Sequence, residues 1–267
     1  MKRALALFPL FALLVVALLA MVTSAFDPRF LVPEHAWLSP SRSHWLGCGD
    51  GGIDLLAAIA NATTRALFMG ATVALFGWVI GTPLGTWAAY RGGVAERLVS
   101  RTSDLVQAFP TFLFAMSVLA AVRTPTRMHV AVVFCVTAWV PFARLALAEA
   151  RVLRRASYIE AAEALGASRT RVLLVHLIPG VLAPTSVQFG SSAAAVVIGE
   201  AALAFIGLGP RDGLSLGALL EQGLFAMTRA PHVLVATVLV LVATNAALLV
   251  SGRAFQSVRG SHVRRHR

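Results

Sequence analysis

The chain has 267 residues, of which 58% are hydrophobic and only 13% charged, and its formal net charge is +11. A soluble domain is nearer half apolar and a quarter charged, so this composition excludes an ordinary soluble enzyme and implies an integral membrane protein. The excess of positive charge sits in loops between apolar runs, where the positive-inside effect accounts for it without nucleic acid as a partner.

In chain order, six apolar segments are predicted, at about 4–25, 66–90, 105–122, 129–148, 180–207 and 232–251. A spanning helix needs about 20 apolar residues. The expected fold is therefore all-α: a polytopic transmembrane helical bundle of six spans with a cytoplasmic helix pair. The organisation predicted is an N-terminal anchor (1–25), an outer loop (26–65), a membrane domain (66–251) and a basic cytoplasmic tail (252–267). The first segment has the basic start of a signal peptide, Lys2-Arg3. Its apolar core from Ala4 to Val22 exceeds the ~7–15 residues of a signal-peptide core, so an uncleaved anchor is expected.

With the N-terminus placed inside, sixteen of the 23 Lys and Arg residues fall on the cytoplasmic side and seven on the outer side. That asymmetry predicts both termini in the cytoplasm. The long outer loop carries Trp37 and Trp45, which either anchor at the membrane interface or cover a pore mouth. Cys48 lies in that loop and Cys135 in an apolar span, so no pairing is expected.

The second segment places Gly77, Gly81 and Gly85 on one helical face. Such a face either lets a neighbouring helix come close or lines a path. The run Gly190 to Ala195 in the fifth segment has the same two readings. Pro83, Pro110, Pro141 and Pro184 lie in or beside spans and are expected to bend them. Glu200 is the one acidic residue deep in the apolar run 196–208. A carboxylate there should face protein or water rather than lipid. It either lines a path, braces a gate or makes a structural hydrogen bond.

Between the fourth and fifth segments lies an arginine-rich loop, 149–179. Ser157 and Glu160 have the S-x-x-E spacing of a capping box. Ala161, Ala162, Ala164 and Leu165 are strong helix formers, and Gly166 suits a left-handed helix stop. Ser168 can cap a second helix carrying Val172 to Val175, with Pro179 marking its exit. The loop thus reads as helix, tight turn, helix. Small alanines on its surface permit close approach of a partner.

Glu160-Ala161-Ala162, Gly166 and His176-Leu177-Ile178-Pro179 together resemble the EAA signature of binding-protein-dependent ABC importer permeases. The likeness extends from about residue 44 to 250. It is strongest with the dipeptide/oligopeptide/nickel branch, through Gly81-Thr82-Pro83-Leu84-Gly85, Arg91-Gly92-Gly93, Ala108-Phe109-Pro110, Ala143-Arg144-Leu145 and Glu200 to Gly209. The resemblance implies a second homologous permease, two ABC ATPase subunits and an external solute-binding protein. It implies that ATP and Mg act on the ATPase partners, with no cofactor on this chain. It also implies that Glu160, Ala161, Ala162, Leu165, Gly166 and Ser168 form the ATPase-coupling surface, in the bacterial inner membrane. The solute would be a peptide, nickel or an opine. In the outer loop Cys48, Gly49 and Ile53 replace the branch's usual Thr, Asp and Arg.

The rival is a carrier or channel working alone, which would place ionisable or unwound elements near the midplane. Only Glu200 is a candidate for that role. A membrane enzyme is disfavoured: no Walker A pattern, dinucleotide fingerprint or zinc-ligand spacing is present.

Overall fold

The computed structural model describes residues 32–254. The anchor expected at 1–25 and the basic tail beyond residue 254 lie outside them. All regular structure among the described residues is helical, apart from one isolated bridge between Cys48 and Asp54.

Residues 32–54 form a folded loop with short 3-10 turns at Pro33–His35 and Asp50–Gly52. Backbone bonds close it on itself and onto the next helix: Trp37 N–H to Gly49 O (3.2 Å), Cys48 N–H to Leu38 O (2.9 Å), and Leu55 N–H to Gly47 O (3.0 Å). Trp37 packs against the core and carries the Arg229 guanidinium 4.6 Å above its ring, whereas Trp45 is exposed.

Helix α1 spans Leu55–Arg91. At 1.5 Å per residue it is roughly 56 Å long, well beyond the ~30 Å hydrocarbon layer. It begins at Leu55 rather than near residue 66, because Asp54 caps it by accepting from Ala57 N–H at 2.9 Å. The first turns contain Asn61, Thr63, Thr64 and Arg65, whose polarity hides the helix start from a hydropathy reading.

The third predicted span is not straight. It consists of α2 (Gly93–Ala108) and α3 (Thr111–Ala120), bent by 65°. Pro110 lacks an amide donor and disfavours helical geometry at the residue before it, and Phe109 is extended (φ −93°, ψ 126°). Pro83, Pro141 and Pro184 instead sit inside unbroken helices.

Helix α4 (Arg127–Leu153) leads to the short α5 (Ser157–Ala164). Helix α6 runs from Arg169 to Phe205 as one continuous rod with a π turn at Val172–Leu177. Pro179 therefore does not end a helix. The wider π turn just before it makes room for the proline ring and its missing donor. Two helices follow, α7 (Leu216–Phe225) and α8 (Pro231–Ala254). Helix α7 lies in what reads as an outer loop, and its ten residues are too short to cross a bilayer.

Four helices are long and apolar enough to cross a membrane, or five with the bent pair counted as one. The sixth expected span is the anchor segment. Helix α1 is the spine, packed along α4 and α6. A Cβ at Gly77, Gly81 or Gly85 would collide with the carbonyls of Ala138, Trp139 or Ala143 on α4. One at Gly190 would meet Leu248 O of α8 at 2.5 Å. Both small-residue runs therefore serve close helix packing.

Polar ties hold α2 to α4. Glu96 accepts from Arg151 Nε at 2.6 Å, and the Arg144 guanidinium bonds Asp104 and Gln107.

A hinged hairpin as the candidate coupling site

The hairpin between α4 and α6 is built by local rules. Ala156, in extended geometry (φ −77°, ψ 138°), is the N-cap of α5, with no side-chain cap bond. Ser157 is already helical, so the expected Ser157–Glu160 capping box does not form. Its register is one residue off, because burial of Ile159 (1% exposed) decides which face of α5 turns inward. The Glu160 carboxylate points to solvent.

The turn forms as expected. Gly166 adopts φ +85°, a conformation that costs a side-chain-bearing residue about 1–2 kcal/mol. Ala167 N–H donates to Ala162 O and Gly166 N–H to Glu163 O, both at 3.0 Å. This pair of bonds is a Schellman stop, which satisfies carbonyls that the helix end leaves open. Ser168 then caps α6, its Oγ accepting from Arg171 N–H at 3.3 Å.

The inward face is anchored by a small cluster of Ile159, Val172 and Leu177, against which Tyr90 and Leu153 pack. Tyr90 Oη donates to Glu163 Oε1 at 2.9 Å. Arg154 Nη1 donates to Ala89 O at 2.6 Å, closing the end of α1. The outward face carries Tyr158, Ala161, Ala164 and Leu165, flanked by Glu160. Leu165 is 89% exposed, a large apolar side chain left in water on a rigidly held helix. Ala162 is half-buried at the hairpin's flank, and Ser168 is exposed at the turn. The six predicted hairpin residues lie on α5, the Gly166 turn and the cap of the next helix. Reading the sequence missed Ile159, Tyr90 and Glu163. One signal for Tyr90 was available: the chain has only two tyrosines, and Tyr90 closes an apolar span.

Glu200 lies apart from the hairpin, near the opposite end of α6. It is 3% exposed and its Oε2 has no hydrogen-bond partner among the described residues. It faces protein rather than lipid, as its cost requires. Arg127, at the start of α4, is close enough to act on it electrostatically. Arg127 also binds the loop before α7, through its N–H to Asp212 Oδ1 (3.3 Å) and its Nη2 to Leu214 O (3.4 Å). Cys48 and Cys135 are both free thiols. Among the described residues, no group of three His, Cys, Asp or Glu side chains is placed to hold a metal.

A profile of the family described as "Binding-protein-dependent transport system inner membrane component" matches residues 81–260. The chain belongs to that family. It is thus a membrane permease component of such a system, and the match takes in the hairpin and Glu200. The chain is 33% identical over 234 residues to the glutathione transport system permease protein GsiD of Pectobacterium atrosepticum, covering 84% of this chain and 75% of the relative. It is 27% identical over 227 residues to the oligopeptide transport system permease protein OppC of Bacillus subtilis, covering 82% and 74%. In fold it is similar to a chain of the MetNI methionine ABC transporter in an inward-facing conformation. There the TM-score is 0.60 at 20% identity, over 75% of this chain and 96% of that one.

Proposed function

We propose that this chain, with a second homologous permease, forms the path by which a peptide or similar small solute enters the cell. Two ATPase subunits dock on the hairpin and an external binding protein delivers the solute at the opposite face. ATP and Mg are bound by the ATPase partners, and this chain contributes no covalent chemistry. The hairpin end is cytoplasmic, and so are both termini, consistent with the arginines gathered there. The peptide class rests on the names of the relatives, glutathione and oligopeptide permeases.

The observation that carries the reading is Leu165. A leucine 89% exposed gains nothing for the isolated chain, yet the helix beneath it is fixed by a Schellman turn and a buried isoleucine. Such a surface suits a partner groove, with Glu160, Ala161, Ala162, Gly166 and Ser168 shaping it. Glu200 is assigned a bracing role at the far gate, beneath the loop before α7.

The test is uptake of labelled peptide by proteoliposomes holding the complete transporter. Import should require ATP and the binding protein and should ignore ion gradients. Import that continues without ATP and stops when the gradient is dissipated would establish the stand-alone carrier instead.

A further inference from the structure

The hairpin is undercut. A cavity of about 670 Å³ separates it from the end of α1, lined by Trp87, Tyr90, Arg91, Glu163, Arg169 and Leu173. The apolar seat beside it consists of only three fully buried side chains, Ile159, Val172 and Leu177. That seat holds the inner face of the hairpin, and the polar contact at the cavity edge adds a second tie. That contact is the bond from Tyr90 Oη to Glu163 Oε1, joining residues 73 apart in the chain.

We infer that Tyr90 and Glu163 are a positioning pair that carries displacement of the docked hairpin into α1. The inference rests on the coupling reading above. The two glutamates of α5 differ in contact: both are exposed, but only Glu163 has its carboxylate on Tyr90 of α1. Tyr90 has two holds on the hairpin, its ring against the Ile159 cluster and its hydroxyl on Glu163. Arg169, on the other arm of the hairpin, is close enough to act on Tyr90 electrostatically, so the phenol sits where both arms meet.

The receiving element is the right one for transmission. Tyr90 is in the last turn of α1, and that turn is itself held to α4 by Arg154 on Ala89 O. From there α1 packs against α4 through backbone contact at Gly85, Gly81 and Gly77. A push at Glu163 is thus delivered to α1, a 37-residue helix, and not merely to the adjoining ends of α4 and α6.

The experiment uses the complete transporter in proteoliposomes and reads ATP hydrolysed per peptide imported. Tyr90→Phe keeps the ring packing and removes the donor. It should raise that ratio roughly threefold to tenfold, the range expected for losing one ordinary solvent-exposed hydrogen bond, while the ATPase subunits stay bound. Glu163→Gln keeps an acceptor oxygen and should fall between wild type and Tyr90→Phe. The double variant should be no worse than Tyr90→Phe alone, since both act through one bond. A brace with only a structural role would lower import and hydrolysis together and leave the ratio unchanged, which overturns the inference, as does full additivity of the two variants. Gly166→Val, measured alongside, separates the levels. If it raises the ratio and Tyr90→Phe does not, the pair is wrong and the coupling site stands. If neither raises it, the coupling site itself is wrong.

Discussion

Gly85 of α1 lies directly against Ala143 of α4, so close that any Cβ would overlap the Ala143 carbonyl oxygen. The obstacle is backbone, which cannot rotate away. Gly199 of α6 is also tight, but its Cβ would meet the edge of the Phe134 ring at 2.7 Å, and a ring can shift. Gly85→Ala should therefore cost about 1–3 kcal/mol and Gly199→Ala clearly less. Thermal unfolding of the two variants in the same detergent checks this, and equal losses would contradict the packing argument.

Asp54 joins the folded loop to α1. One carboxylate oxygen caps the helix at Ala57 N–H and the other meets His44 Nδ1 at 2.9 Å, with both residues buried. Asp54→Ala removes the cap, worth about 0.5–2 kcal/mol, together with the tie to His44. Asp54→Asn keeps an oxygen for the cap and should be milder. Limited proteolysis between residues 32 and 54 should rise most in Asp54→Ala and less in Asp54→Asn, and unchanged cleavage in Asp54→Ala would refute the tie.

Cys48 is fully buried beside Asp54, and burial first, then the carboxylate charge, push its thiol above the ordinary cysteine value. A thiol with a raised pKa holds its proton in the folded state, so its contribution to stability is present at neutral pH and lost as pH rises through the folded value. Since the thiolate is the nucleophile, maleimide should label Cys48 slowly at neutral pH in the folded protein and readily after denaturation. Quick labelling of folded protein at neutral pH would contradict this placement.

These contacts also show what a sequence can disclose. The turn at Gly166 and the cap at Ser168 were readable because each depends on residue type within a few positions. The packing face of Gly77, Gly81 and Gly85 was readable from helical spacing, although not which helix it meets. The failed Ser157–Glu160 box is instructive: its motif was present, but the helix begins at Ser157, and the Ala156 carbonyl rather than a serine hydroxyl takes the Glu160 amide. The bend at Phe109-Pro110 was visible as a proline but not as a break, since Pro141 and Pro184 sit in continuous helices where neighbouring packing tolerates them. Tyr90 and Glu163 meet only in the folded chain, and no local pattern announces a bond across that distance.

Gly166 tests conformation without crowding. Nothing lies within 4 Å of a Cβ built there, so a substitution acts only through φ +85°. Asn tolerates that region, Ala costs about 1–2 kcal/mol, and a β-branched residue costs more. Peptide import should fall in the order Gly, Asn, Ala, Val, while the amount of protein inserted stays level. If Gly166→Val retains full solute-stimulated ATPase activity in the purified complex, the hairpin is not the coupling element.

Leu165, the C-cap of α5, and Ile159, six residues before it, should fail in opposite ways. Leu165 is 89% exposed and Ile159 1%. Leu165→Ser removes almost no internal contact, so the chain should keep its thermal stability. Burying a leucine against a partner is worth about 1.5–3 kcal/mol, so its loss should weaken ATPase binding by roughly tenfold to a hundredfold. Ile159→Ala hollows the hairpin's seat at a cost of about 2–5 kcal/mol. It should expose the hairpin to protease before any partner is added. Binding of the ATPase subunits to permease in nanodiscs, set beside proteolysis of the free permease, separates the two effects. A Leu165→Ser variant that binds its ATPases with wild-type affinity would remove the exposed leucine from the docking surface, and with it the main support for placing the motor there.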